Sequence, residues 1–514
     1  MVRFLLNDEL IELPNPATDL TVLDWLRLQQ QLTGTKEGCG SGDCGACTVV
    51  LVNPSETPSG LPLQYQSANG CILMIGALQG KQLITVDHIG SSTSMHPVQA
   101  AMVKHHGSQC GFCTPGFIMS LFALFHQTLE DSATWRDAHQ AHALIEQHLG
   151  GNLCRCTGYA PIVKAAMEVL HQRFETELTD AFDIAAADTA QALLKIQSLV
   201  ASSSTLQHPD DVNVHVPTSL TSALRLWKTL PYADIIAGGT DKSLQVTQSL
   251  QRWDALIHLN EIQELKSIEH RQQALVIGAG VSIGELIDTL TIDYPSAVPM
   301  LLRFGSEQVR AQATVGGSLG SASPIGDLAP LFLALDASIE LVSLAPNGDD
   351  LAYRTLPMSD YFVGYCETQC AANEWIHAVH IPNESSAADL QVYKISKRMD
   401  DDISTVCVAV WMRLNRAQTP ATIESVRLGF GGMAATPKRA TQAENVLQGA
   451  EFTETVIQQA CDALAKDFTP IADVRASAQY RQQVAANLLK RFWMECEWPE
   501  QALQIHSVTT EAAL

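Results

Sequence analysis

Eight of the 13 cysteines in this 514-residue chain precede residue 157, and they form two groups. Cys39, Cys44 and Cys47 stand as C-x4-C-x2-C, and Cys71 follows after 23 further residues. This is the spacing of a plant-type [2Fe–2S] site. Gly38, Gly40, Gly42 and Gly45 are dispersed through the loop. A short loop must wrap a cluster with its amide N–H groups aimed at sulfur, and a Cβ would obstruct that approach. The same N–H groups help set the reduction potential. Zinc and buried structural cysteines are the rival readings. Structural zinc usually pairs its ligands as C-x2–4-C twice, which this pattern fits poorly.

The second group is Cys110-Gly-Phe-Cys113 and, 40 residues on, Cys154-Arg-Cys156. Both pairs fall at expected helix ends, so two turns brought together would offer four thiolates at one point. A thioredoxin-type pair is the rival for Cys110 and Cys113. It expects a βαβ context, absent here, and leaves Cys154 and Cys156 unexplained. Cys366, Cys370, Cys407, Cys461 and Cys496 are scattered and read as ordinary buried residues.

A different chemistry is suggested further along. Ile235-Ile236-Ala237 is a buried-strand signal running into Gly238-Gly239-Thr240-Asp241, followed by Lys242. Such a strand end can present N–H groups to a pyrophosphate. Thr314-Val315-Gly316-Gly317-Ser318 has the same character, and Asp327 follows. Each alone is a weak signal, because Gly-Gly after a strand is usually a tight turn. Gly278-Ala-Gly280-Val-Ser-Ile-Gly284 misses the Rossmann fingerprint, whose third glycine would fall at Ile283. It reads as a strand-to-helix turn.

The elements that must hold these groups are legible in outline. Residues 1–88 read as β-rich, with a hairpin around Asn7-Asp8-Glu9, a helix over Thr21–Gln31 and a strand from Thr48. Residues 89–175 read as helical, with helices from Pro97, Phe117, Trp135 and Pro161. Residues 176–212 carry little periodic signal and read as a linker. Residues 213–387 alternate strands and helices with glycine-rich turns. Residues 388–514 read as an α+β end piece, with strands near 404–414 and 422–431.

Composition narrows the classes. The length calls for several domains. The formal net charge of −23 argues against a nucleic-acid ligand. No apolar run is long enough for a bilayer span; Gly116–Phe125 reads as a buried helix. The N-terminus is broken by Asp8-Glu9 and is not a signal peptide. The expected compartment is cytoplasmic.

The motifs also carry a resemblance. E-G-C-G-S-G-D-C-G-A-C-T-V (37–49), S-Q-C-G-F-C-T-P-G (108–116) and G-N-L-C-R-C-T-G-Y (151–159) resemble, in order, the two iron–sulfur domains of the molybdenum hydroxylase family. I-A-G-G-T-D, T-V-G-G-S-L-G-S-A-S-P-I-G-D-L and L-G-F-G-G-M-A (428–434) are similar to its FAD domain. The resemblance implies a multidomain α+β fold: a β-grasp ferredoxin-like domain, a helical [2Fe–2S] domain, a non-Rossmann FAD domain and a C-terminal α+β domain. It implies FAD segments at Ile235–Lys242 and Thr314–Ser318, completed by Phe304, Asp327, Ile376 and Lys394. Gly239, Asp241, Thr314 and Ser318 are mild departures from the family's usual residues. Gln109 would lie near the pterin of a molybdenum cofactor, and the cluster of Cys110, Cys113, Cys154 and Cys156 would be the one nearer molybdenum.

That cofactor is expected on a large partner subunit, as in the bacterial members, with a heterotetramer as the assembly. The expected reaction is oxidation of hypoxanthine and xanthine to uric acid, with electrons passing through two [2Fe–2S] clusters and FAD to NAD+. A related aldehyde or aromatic-heterocycle dehydrogenase is one alternative, and a non-catalytic redox protein another. Lys397–Asp402 is either a solvated loop or, by the resemblance, a loop beside the flavin that influences access of NAD+.

Overall fold

The computed structural model describes residues 1–55, 62–127, 134–176, 178–203, 212–386 and 388–500. It is a multidomain α+β architecture.

The first sheet has five strands in the order Glu9–Leu13, Val2–Leu6, Gln82–Ile84, Thr48–Pro54, Leu63–Asn69. The hairpin pairs Leu6 with Glu9, and Asn7 takes the left-handed conformation the turn needs (φ 56°). Both faces of the sheet are covered. Phe4, Leu6, Val49 and Leu51 pack with Trp25 and Leu26. Leu5, Val50 and Val52 alternate onto the opposite face and meet the helical layer. The helix expected over Thr21–Gln31 runs as an α-turn at Val22–Asp24 and a π-turn at Trp25–Gln29.

The helical layer contains Pro97–Lys104, Thr114–Gln127, Ala138–Leu149 and Ala160–Thr176. Every residue from Gly116 to His126 is buried. A helix buried all round, with its Ser120 and His126 paired to polar groups, belongs inside a core when it is this short. Among the described residues, no helix is long and apolar enough to cross a membrane.

The stretch read as a linker differs from expectation. Ala181–Ser203 is a helix of 23 residues, and Ala190, Leu193 and Ile196 pack into the helical core. Phe182, Ala186, Ala190, Leu193, Ile196 and Val200 recur at helical spacing on its buried face, but the alanines at 185, 187 and 192 blur the contrast between faces. The Ser202–Asp211 part of that reading extends past residue 203, beyond which 204–211 lie outside the described residues.

A three-stranded parallel sheet follows, ordered Val214–His215, Leu256–His258, Asp234–Ile236. An antiparallel sheet is ordered Leu351–Pro357, Ser338–Leu344, Trp375–Pro382, Ala274–Gly278, Ile268–His270. The last part is a four-stranded antiparallel sheet of Asp389–Ile395, Val406–Asn415, Thr422–Gly431 and Lys438–Arg439. Helices Glu454–Asp467 and Ala478–Glu497 cover one of its faces. Cys407, Ala409 and Trp411 alternate onto the other and join the preceding core. Cys366 is a correction: it is exposed, at φ 55° in a hairpin turn, whereas Cys407 and Cys461 are buried.

A buried polar network ties the helical layer together. His96 caps its helix by accepting the Val98 N–H at Nδ1 (3.2 Å), so its Nε2 carries the proton and donates to Asp180 (2.6 Å). His126 lies 3.3 Å from Asp180 and 3.4 Å from Asp183, and Arg173 forks onto Asp183. Three of these ligand atoms stand close enough to suggest a metal. The His96 tautomer argues otherwise, because its lone pair is already spent on the helix cap. Burial disfavours a charge on His126, but the two aspartates outweigh it and raise its pKa. Burial likewise opposes the Asp180 charge, and His126 and His96 overcome it and lower the pKa.

The signs fix a pH dependence. The Asp180 contribution is present above the ordinary carboxylate pKa and is lost as pH falls through its depressed value. The His126 contribution is complete below the ordinary histidine pKa, and is lost as pH rises through its raised value. Asp180→Asn should destabilise the helical layer by about 3–5 kcal/mol, the usual effect of breaking a buried pair. Hydrogen exchange in helices 114–127 and 181–203 should accelerate accordingly, with the alkaline loss seen in the parent protein much reduced.

Candidate functional site

The first cysteine group converges. Cys47 and Cys71 Sγ are 3.3 Å apart, and the Cys39 thiol lies within hydrogen-bonding range of both Cys44 and Cys71. The Ser41 N–H points at Cys39 Sγ (3.4 Å). A Cβ on Gly38 would stand 2.6 Å from Cys44 Sγ, so the loop closes over sulfur only with glycine there. Cys47 and Cys71 are buried, and Cys39 and Cys44 half-buried.

The second group converges too. Cys156 Sγ lies 3.7 Å from Cys110 and 3.8 Å from Cys154, and Cys113 reaches Cys154. The Thr157 N–H and hydroxyl approach Cys154 Sγ at 3.4 and 3.1 Å. Against burial, they pull that thiol down to about 6. This favours thiolate, the form that binds iron. Cys110 and Cys156 are exposed, as are Gln109, Phe112 and Tyr159. Four sulfurs at one point suit a [2Fe–2S] cluster in each place.

The two cysteine loops touch. The Leu153 N–H, next to Cys154, donates to the carbonyl of Cys44 (3.0 Å). Gly116 packs against the Gly45 carbonyl so closely that a Cβ would overlap it.

The first loop also reaches a cavity of about 1090 Å³, where Asp43 forms part of the wall. Ile235, Ile236, Ala237, Gly238, Gly239, Thr240, Asp241 and Lys242 line it, with Phe304, Thr314, Gly316, Gly317, Ser318, Asp327, Ile376 and Lys394. Val315 does not: its side chain is fully buried in the core behind the wall. Among the described residues, the N–H groups of Gly238, Gly239, Thr240 and Asp241 donate to no protein acceptor. Four unsatisfied N–H groups in a row are an anion cradle, as a pyrophosphate requires. The cavity volume suits a dinucleotide.

The 278–280 turn also contributes to the wall, through Ala279 and Gly280. Their N–H groups are committed, to His377 and Leu265 carbonyls. This explains why the segment is strand, turn and helix without being a phosphate loop. Trp227, Leu265 and Trp375 are wall residues that sequence reasoning missed. They come from three distant segments and carry no motif.

At one end of the cavity, Lys394 Nζ pairs with Asp327 (2.7 Å) and donates to the Arg303 carbonyl (2.8 Å). Both paired side chains are buried. Ser404 donates to the other Asp327 oxygen (2.5 Å). The Lys397–Asp402 segment borders the cavity through Arg398, Asp401 and Asp402, so it is more than a solvated loop. Arg303 anchors it by donating to the Met399 carbonyl (2.9 Å). Burial, with Asp43 nearby, pushes the Asp401 carboxyl up to about 7.

Comparison with known proteins agrees with this geometry. Residues 4–73 match a 2Fe–2S iron–sulfur cluster binding domain, and 85–167 a [2Fe–2S] binding domain. Residues 210–384 match the FAD binding domain in molybdopterin dehydrogenase, and 391–496 the CO dehydrogenase flavoprotein C-terminal domain. A xanthine dehydrogenase of Emericella nidulans is 31% identical over 96% of this chain and 38% of its own length. One of Drosophila pseudoobscura is 28% identical over 96% and 39%. The chain thus spans about two fifths of these curated relatives. A carbon monoxide dehydrogenase from Hydrogenophaga pseudoflava superposes with a TM-score of 0.50 at 28% identity, over 54% of this chain and 94% of that one.

Two four-sulfur centres joined to a dinucleotide cavity define an iron–sulfur flavoprotein. The chain belongs to the molybdenum hydroxylase family, as its iron–sulfur and FAD-carrying electron-transfer part.

Gly238→Ala should close the cradle, since the added Cβ would overlap the Gln312 carbonyl. FAD affinity should fall at least about tenfold, a loss of about 1.4 kcal/mol. Iron content should be unchanged when both are assayed on the purified protein.

Proposed function

We propose that this chain is the electron-transfer subunit of a xanthine dehydrogenase. Its partner would be a large subunit carrying the molybdenum cofactor, in a cytoplasmic heterotetramer. The reaction converts xanthine, water and NAD+ to urate, NADH and a proton, and hypoxanthine enters through the same route. When bound, the clusters supply one-electron transfer, and FAD couples it to two-electron hydride transfer to NAD+.

The observation that carries this reading is the order of contacts. Cys110 and Cys156 open to the surface, where a partner's electrons would arrive. The Leu153–Cys44 hydrogen bond joins that thiol group to the first one. Asp43, beside Cys44, stands in the wall of the flavin cavity. The eight cysteines would hold the clusters. Gly238–Asp241 would take the pyrophosphate, and Lys394–Asp327 would fix the cavity end where Ser404 also points. The Lys397–Asp402 segment, held at the cavity by Arg303, would meet NAD+.

Xanthine is preferred as substrate because the matching xanthine dehydrogenases align along 96% of the chain. The likeness to the carbon monoxide dehydrogenase keeps a sister dehydrogenase as the second reading, over 54% of the chain.

The test is NAD+ reduction by xanthine, with the chain purified alongside its large subunit. Urate and NADH should appear in equal amounts. Xanthine that is inert while aldehydes or other heterocycles reduce the flavin would move the protein to the sister class. Cys44→Ser should abolish flavin reduction by substrate while NADH still reduces the flavin. Loss of both would contradict the proposed order of carriers.

A further inference from the structure

Gln308 has no part in the relay as described, yet its amide meets three side chains of the cysteine modules. It lies in the short helix Glu307–Arg310 of the flavin half and is 1% exposed. Its Nε2 approaches Asn152 Oδ1 at 3.0 Å, Ser120 Oγ at 3.1 Å and Thr48 Oγ1 at 3.2 Å. These three partners belong to the segment before Cys154, the central buried helix and the strand after Cys47.

The polarity of this knot is fixed. The Ser120 hydroxyl donates to Asn152 Oδ1 (2.7 Å), and the Thr48 hydroxyl donates to the Gly45 carbonyl (2.7 Å). Both protons are committed, so only a donor at Gln308 satisfies what it faces. Two donors on Asn152 Oδ1 force the Asn152 amide nitrogen the other way. It donates to the Gly45 carbonyl (3.1 Å) and reaches Thr48 Oγ1 (3.3 Å). Gly45 lies between Cys44 and Cys47. Its carbonyl is therefore clamped by a chain of hydrogen bonds that begins in the flavin half.

We propose that Gln308 is a positioning residue for the first cluster, acting through Asn152 on the Gly45 peptide. The inference rests on the reading of Cys39, Cys44, Cys47 and Cys71 as cluster ligands. Amide dipoles around the sulfurs tune a cluster's potential. Releasing the Gly45 peptide would alter those dipoles directly at the first cluster, whereas the second cluster's loop meets the knot only through Asn152, two residues before Cys154.

The test is a dithionite titration, one electron per cluster, of the full chain and of Gln308→Met, followed by low-temperature electron paramagnetic resonance. Methionine keeps the length and removes the donors. The first cluster's midpoint potential and signal shape should shift more than those of the second, and iron and FAD contents should be retained; an equal shift at both clusters would overturn the inference. Ser120→Ala, which removes one donor to Asn152 Oδ1, should shift the same signal less; it decides the matter should Gln308→Met fail to fold. A lower melting temperature with both potentials unmoved would reduce Gln308 to a packing role and overturn the inference. A parent chain that binds no iron in the first group would overturn the cluster reading, and this inference with it.

Discussion

Backbone approach without side chains governs the centre of this molecule. At Gly116 a helix meets the Gly45 carbonyl at a distance that leaves no room for a Cβ, and at Gly151 the side chains of Ser306 and Gln308 occupy the space a Cβ would take. Three modules are thereby drawn to one point beside Cys44 and Cys47. Any larger residue at Gly116 would push the central helix off the cysteine loop, to which the Leu153–Cys44 hydrogen bond also ties the 151–156 segment. Close packing of this kind transmits displacement rather than absorbing it.

The polar groups trapped at that junction explain why it holds one arrangement. Thr48, Ser120, Asn152 and Gln308 are all buried. A buried amide or hydroxyl without a partner is costly, so a slip of one module against another leaves several groups unsatisfied together. Apolar packing alone would tolerate small rotations. The Lys394–Asp327 pair does the same at the cavity end, where Ser404 and the Arg303 carbonyl complete the network. Such a pair adds little net stability against an apolar alternative, because desolvation offsets attraction. Its value is orientation of the strand Asp389–Ile395 against the turn that carries Asp327.

What the sequence disclosed follows from how local each feature is. Cysteine spacing is local, and both four-sulfur groups were legible from it. The strand Ile235–Ile236 running into glycines was legible as a weak signal, and the family resemblance rather than spacing gave it a flavin role, while spacing alone set 278–284 aside as a turn. The fold adds the physical reason: the N–H groups at 279 and 280 are bonded to carbonyls and those at 238–241 are not. Trp227 and Gln308 were invisible because their roles exist only once distant segments meet. The helix at 181–203 was missed for a different reason: its buried stripe from Phe182 to Val200 is flanked by alanines that blur the apolar period. The exposed Cys366 shows the converse error, a residue type usually buried placed at a left-handed turn.

The two sulfur centres differ most in their surroundings, and that difference gives the molecule a direction. Cys47 and Cys71 sit inside, between the sheet and the glycine loop, whereas Cys110 and Cys156 face outward. A Cβ at Gly111 or Gly158 would meet nothing within 4 Å. Phe112 is about half exposed there, yet its ring edge also lies 3.7 Å from where a Gly38 Cβ would stand, over the first loop. The open end of the second centre is therefore backed by the closed side of the first. Beyond the first centre lies Asp43 and the cavity, whose wall is drawn from the parallel sheet, the antiparallel sheet and the last strands together. The junction at Gly45 lies between the surface cysteines and that cavity, beside Cys44 and Asp43. Both cysteine modules and the flavin half contribute to fixing the position of that single peptide.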